Sequence, residues 1–151
     1  MALKEEETMG QAAEVGREVL ATMDAQDYDR LREVMAADVQ MSQGGASLNG
    51  IEDVIAMLKS FYGALPDLEH CVLNVVEDAD TAAFEMNVVA THTGPFTSDL
   101  GDFPPTGRST SWDSSTFITV RDGKAVELHT YLDVMAVHRE LGYVPARHGT
   151  A

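Results

Sequence analysis

The chain has 151 residues, the size of one ordinary domain, and its ten Lys and Arg against 25 Asp and Glu give a formal charge of −15. That charge repels phosphate backbones and anionic bilayers, so neither a nucleic-acid nor a membrane partner is expected, whereas 44% hydrophobic residues suffice for a core. Cys71 is the lone cysteine, which excludes an internal disulfide and a cysteine-rich zinc site.

No apolar run approaches the ~20 residues of a membrane span, and Met1–Glu7 carries no signal-peptide hydrophobic region. A soluble, cytoplasmic single domain over residues 1–151 is therefore expected, with 1–7 and 146–151 flexible. Thr8 and Gln11 fit a capping box for a first helix, whose apolar stripe is Met9, Ala12, Gly16, Val19, Leu20 and Met23. Asp27 is expected to cap a second helix burying Tyr28, Leu31, Val34 and Met35. Asp38–Ser42 reads as a short strand ending at Gly44-Gly45. A third helix spans Gly50–Tyr62, burying Ile51, Val54, Ile55, Leu58 and Phe61, and Pro66 forbids its continuation.

The period then changes from helical to alternating. Leu68–Val76 is β-rich, and Thr81–Thr93 places Ala82, Phe84, Met86, Val88, Ala90 and His92 on one face. Thr97–Gly107, with its glycines and prolines, is expected to be a loop acting as a lid, with Phe96 and Phe103 as its apolar contacts to ligand. Ser109–Arg121 and Ala125–Leu132 form strands joined by a tight turn at Asp122-Gly123, and a short helix over Val134–Leu141 ends at Gly142. Helices followed by long antiparallel strands give an α+β domain, a curved antiparallel or mixed sheet wrapped as a cone around the N-terminal helices. Such a sheet leaves an apolar pocket at its open end.

Several segments, in this order, resemble the SnoaL-like polyketide cyclases of the nuclear transport factor 2-like fold. They are Thr91-His92-Thr93-Gly94-Pro95-Phe96, Pro105-Thr106-Gly107-Arg108, Asp122-Gly123-Lys124, and Asp133 followed by Glu140-Leu141-Gly142. The resemblance runs from the first helix to Gly142 and implies a pocket-bearing fold that hosts cyclases, isomerases, hydrolases and non-catalytic binders. It also implies an acid/base aspartate three positions before Asp133 and a supporting histidine on the preceding strand. Here those positions hold Thr130 and Thr116, and a threonine hydroxyl cannot replace a carboxylate as proton acceptor.

Three residues are candidates for catalysis. His92, at the inner edge of its strand, is either an acid/base group or a structural histidine holding the following loop. Asp133 is a carboxylate that also suits the N-cap of the last helix. His129 shares the parity of Asp133 and Tyr131, so a regular strand turns it to the outer sheet surface and Thr130 to the pocket, and a bulge reverses this. Asp113 is a further carboxylate should its strand pair the other way. Trp112, Thr116, Thr130, Phe84, Met86, Met57, Phe61 and Phe103 are the expected ligand-binding residues, aromatic or flexible around an apolar molecule and hydroxylic where it is polar. His70, His138 and His148 lie outside any coherent cluster and are expected to be surface or tail residues.

No metal-binding, calcium, phosphate-loop, dinucleotide or nucleophile-elbow spacing is present, so no cofactor is expected. The resemblance implies a cofactor-independent enzyme cyclising or isomerising a small hydrophobic carbonyl-bearing metabolite by proton transfer. A non-catalytic pocket protein for a hydrophobic molecule and a dimerising assembly domain remain alternatives. A homodimer through the outer sheet face, using His129, Tyr131 and Phe117, is expected from the same resemblance.

Overall fold

The computed structural model describes residues 10–98 and 101–143. The Thr8 capping box, Met9, His148 and both segments expected to be flexible lie outside the described residues. The element order is α1 (Gln11–Asp24), α2 (Tyr28–Val34), β1 (Met35–Gln43), β2 (Ala46–Asn49), α3 (Ile51–Ala64), β3 (Glu69–Asp78), β4 (Thr81–Thr91), β5 (Phe96–Ser98), β6 (Gly101–Phe103), β7 (Ser109–Arg121), β8 (Lys124–Leu132) and α4 (Val134–Glu140). Six strands make one curved, unclosed mixed sheet in the order β2-β1-β8-β7-β4-β3. Its neighbours are antiparallel apart from β1 and β8, which run parallel. The α+β architecture expected from the sequence is therefore the one observed.

The core lies between the concave sheet face and helices α1 and α3. Along β7 every second residue from Thr110 to Val120 is buried, and along β4 Ala82 to Ala90 do the same, as their alternation dictates. Gly16 belongs to the apolar stripe of α1 because a Cβ there would lie 2.5 Å from the Phe84 ring. Asp27 accepts from Arg30 N at 3.0 Å and so caps α2. Asp122 and Gly123 take φ of 51° and 77°, the two positive values that a tight β7–β8 hairpin needs.

Some boundaries differ from expectation. Met35 is extended rather than helical and opens β1, because it pairs with Ala125 of β8 ahead of a bulge. The strand does end at Gly44-Gly45, but these glycines, both with positive φ, turn the chain into β2, a strand not expected from the sequence. The segment Thr97–Gly107 is not all loop: β5 and β6 pair as a ribbon, Phe96 opposite Phe103. Among the described residues no helix is long and apolar enough to cross a membrane.

Candidate functional site

Strand register decides which side chains of β8 meet the helices. Thr130 pairs with Thr116 of β7 and Leu128 with Ile118, so Thr130 points into the concave face and His129 away from it. The two threonine hydroxyls are 2.9 Å apart, and together they floor an enclosed cavity of about 40 Å³. Met41, Met57, Phe61 and Leu128 supply its apolar walls.

The titratable members of this wall are His70 and Tyr62. His70 faces inward because it sits opposite Val88, a buried member of the β4 face. Asp24, the last residue of α1, meets it there. Its Oδ1 lies 2.7 Å from His70 Nδ1, its Oδ2 accepts from the His70 backbone N at 2.9 Å, and Tyr62 OH donates to Oδ1 at 2.7 Å. Burial pushes the Asp24 carboxyl up, but the His70 side chain, charge and backbone amide, with the Tyr62 hydroxyl, together hold it below its ordinary value. Burial beside that carboxylate raises the Tyr62 phenol, so Tyr62 stays protonated.

An ionised Asp24 makes Nδ1 the protonated ring nitrogen and leaves the Nε2 lone pair as the basic position. Nε2 has no hydrogen-bond partner among the described residues, and the side chain is 18% exposed. His70 also borders an open groove of about 590 Å³, shared with Arg17, Asp24, Asp67 and Glu69. The imidazole therefore stands between solvent and cavity, oriented by a carboxylate, as a general base requires.

A second, more open chamber of about 340 Å³ lies on the α4 side. Phe61 and Gln43 belong to its wall and to that of the inner cavity, so they divide the two. Phe96, Leu132, Val134 and Val137 make it largely apolar. His138 closes one side. Contrary to expectation it is buried, 2% exposed, with Nδ1 2.7 Å from Val134 O and Nε2 2.9 Å from Ser98 Oγ.

The sequence matches the SnoaL-like polyketide cyclase family over residues 13–141. The chain belongs to that family. A candidate SnoaL-like polyketide cyclase from Jannaschia sp. CCS1 is 27% identical, covering 89% of this chain and 94% of its own, with a TM-score of 0.78. AclR, a candidate hydroxylase from Streptomyces galilaeus, shares the fold at 23% identity and a TM-score of 0.78, over 92% of this chain and 89% of its own. A SnoaL-like polyketide cyclase from Agrobacterium tumefaciens str. C58 does so at 22% and 0.70, over 89% of this chain and 100% of its own. No match was found among curated proteins.

Within this SnoaL-like fold the expected site residues separate into two groups. Thr116, Thr130, Met57 and Phe61 come together at the inner cavity. His92 does not join them. It is 0% exposed, and its Nδ1 accepts from Thr106 N at 3.1 Å, with Thr106 Oγ1 at 3.0 Å and Tyr143 OH at 2.8 Å. Its backbone also pairs with Arg108 O and Gly107 N, so it ties down the end of the Thr97–Gly107 segment. Burial lowers the imidazole pKa, against a smaller opposing effect of the Gly94 backbone.

The two other catalytic candidates lie on the outer side of the sheet. His129 Nδ1 is 2.8 Å from Ser42 Oγ there, because β8 is regular at this point. Asp133 is exposed and caps α4, accepting from Ala136 N at 3.0 Å. Asp113 also faces outward, bonded by Asn87 Nδ2 at 3.1 Å. Phe84 and Met86 are buried in the core, the Phe84 ring under Gly16 of α1, and neither lines the cavities described above. Trp112 stands behind Phe61, edge to face at 6.4 Å, and Phe103 stacks on Tyr143 at 3.9 Å.

Asp24, His70 and Tyr62 are the residues the sequence reading misses. One local signal points to Asp24, which follows Leu20 by four residues and so continues the inward stripe of α1 by one turn.

Proposed function

We propose that this SnoaL-like protein is a cofactor-independent acid/base enzyme that cyclises or isomerises a small hydrophobic carbonyl compound. His70 is the base in this reading, in place of the carboxylate that Thr130 replaces. The observation carrying it is the Asp24–His70 pair at the wall of a cavity floored by Thr116 and Thr130.

Nε2 takes a proton from the carbon next to the carbonyl, and the bonding electrons move to the carbonyl oxygen as an enolate. Asp24 stabilises the imidazolium through Nδ1–H. One hydroxyl of the threonine pair donates to the other, which leaves one O–H to donate to the enolate oxygen. The imidazolium then returns its proton, either to another carbon (isomerisation) or to the alkoxide formed when the enolate attacks a second carbonyl (cyclisation).

Deuterium exchange at the α-carbon of 1-tetralone in D₂O, followed by NMR, tests the proton-transfer step. The wild-type protein should accelerate exchange, and His70→Ala should lose about 10²–10⁴-fold of that acceleration. Equal acceleration by both proteins would refute the assignment. A non-catalytic binder is the second reading, favoured by the largely apolar lining of the α4-side chamber; a wild-type protein that binds the ketone without accelerating exchange would establish it. The partner in either case is a small hydrophobic molecule. We further propose a homodimer through the outer sheet face.

A further inference from the structure

We infer that the chamber beside α4 is the binding site for the apolar body of an elongated carbonyl compound, about the size of two fused rings, and that Phe61 is the gate between its body and its reacting end. This inference rests on the acid/base reading above for the role of the inner cavity. It concerns where the rest of the substrate lies.

The volumes require a second compartment. A single water needs roughly 10–15 Å³ of such space, so the inner cavity of about 40 Å³ admits at most a carbonyl group and its neighbouring atoms. The chamber of about 340 Å³ falls within the roughly 300–1,000 Å³ range of small-molecule sites. Phe61 and Gln43 form the partition. Phe61 is the hinged part of it: a partly buried ring on α3, held by edge contacts to Phe96 at 6.0 Å and Trp112 at 6.4 Å. Rotating a side chain with only two stiff torsions joins the compartments without moving backbone.

The chemistry of the walls matches a molecule of two characters. Val134, Val137, Leu132 and Phe96 offer apolar contact, whereas the inner cavity offers the Thr116–Thr130 hydroxyls. Met135, exposed among apolar neighbours, forms the lip through which such a molecule enters.

Prodan, a naphthalene bearing a terminal ketone whose emission reports polarity, is the probe. Wild-type protein should bind it saturably with blue-shifted emission. Phe61→Ala should bind about fivefold tighter or more, because a closed gate taxes apparent affinity by the open fraction. Phe61→Trp, which enlarges the partition, should bind about tenfold weaker. Met135→Trp changes an exposed residue, preserves folding, and should also weaken binding by narrowing the lip.

Affinities unchanged in all three variants overturn the inference, as does the absence of saturable binding in wild type and Phe61→Ala alike. The readout is occupancy, so the two readings fail separately. Phe61-dependent prodan binding with 1-tetralone exchange indifferent to His70→Ala removes only the catalytic reading. Exchange lost in His70→Ala with prodan indifferent to Phe61 removes only the gate.

Discussion

Asp24 and His70 are joined twice, side chain to side chain at 2.7 Å and carboxylate to backbone amide at 2.9 Å, across 46 residues of sequence. The end of α1 is thereby tied to the start of β3, and one carboxylate both orients the imidazole and anchors the helix.

Asp24→Asn keeps the size of the side chain and removes its charge, so exchange of 1-tetralone should fall at least about tenfold, less than for His70→Ala. Stability should change with pH as well. The folded carboxyl lies below its ordinary value, so between that value and the unfolded ~3.9 the unfolded chain binds more protons. The wild-type melting-temperature advantage over Asp24→Asn is therefore full above about pH 4 and disappears as pH falls through the lowered folded value. A constant difference from pH 7 to pH 3 would contradict this.

Thr130→Asp places a carboxylate at the position where the resemblance implies the acid, in a wall whose apolar part includes Met41, Met57 and Leu128 and whose polar members are Thr116, Gln43, Tyr62 and His70. Burial should raise its pKa and cost about 1–3 kcal/mol. A raised folded pKa means the native state holds its proton to higher pH, so stability relative to wild type falls as pH climbs past the unfolded ~3.9. The melting-temperature deficit should be clear at pH 8 and shrink towards pH 5. An equal deficit at both pH values would mean that position 130 is wet.

His92→Ala removes the acceptor of the Thr106 amide, and the melting temperature should drop by the equivalent of about 1–3 kcal/mol. Burial depresses the folded imidazole, so below the unfolded ~6.5 the unfolded chain takes up a proton that the native one resists. Wild-type stability should therefore decline between pH 7 and 5 more steeply than that of the variant. The pH profile of 1-tetralone exchange should keep its shape in His92→Ala; a lost limb would make His92 an acid/base group.

The β7–β8 pair is legible in the sequence because its alternation is clean and Asp122-Gly123 supplies both positive-φ turn residues. From that register the inward Thr116 and Thr130 follow, and with them the cavity floor. The β5–β6 ribbon is not legible, since three-residue strands among Gly and Pro carry no period. His70 escapes notice because its partner is an aspartate at the end of a distant helix, a pairing made only by packing. For His92, position on the strand gives inward burial and one of its two readings gives a ring nitrogen bonded to the following loop, where Thr106 lies, whereas Tyr143 is brought near only by the fold.

Phe117 and Tyr131 pack edge to face at 6.0 Å on the outer sheet face while remaining 43% and 61% exposed. A homodimer through this face should give twice the monomer mass by light scattering at micromolar concentration. Tyr131→Glu should halve that mass and leave the melting temperature of the monomer nearly unchanged. A monomeric wild type would refute the pairing.

Among the described residues the last strand made is a central one. β8 lies between β1 and β7, pairing Leu128 with both Met41 and Ile118 and Thr130 with both Gln43 and Thr116. During synthesis the β1–β2 ribbon and the β3–β4–β7 sheet therefore emerge as two separate pieces, each with an open edge. They cannot be bridged until β8, which pairs with both from Ala125 onward, has emerged. Such a nascent chain carries its unpaired edges and exposed apolar surface until β8 emerges, the period in which chaperone capture and misassociation compete with folding. Insertion of β8 then completes the sheet and the chemical floor of the cavity in one event, so a chain arrested before it has no site to offer a ligand.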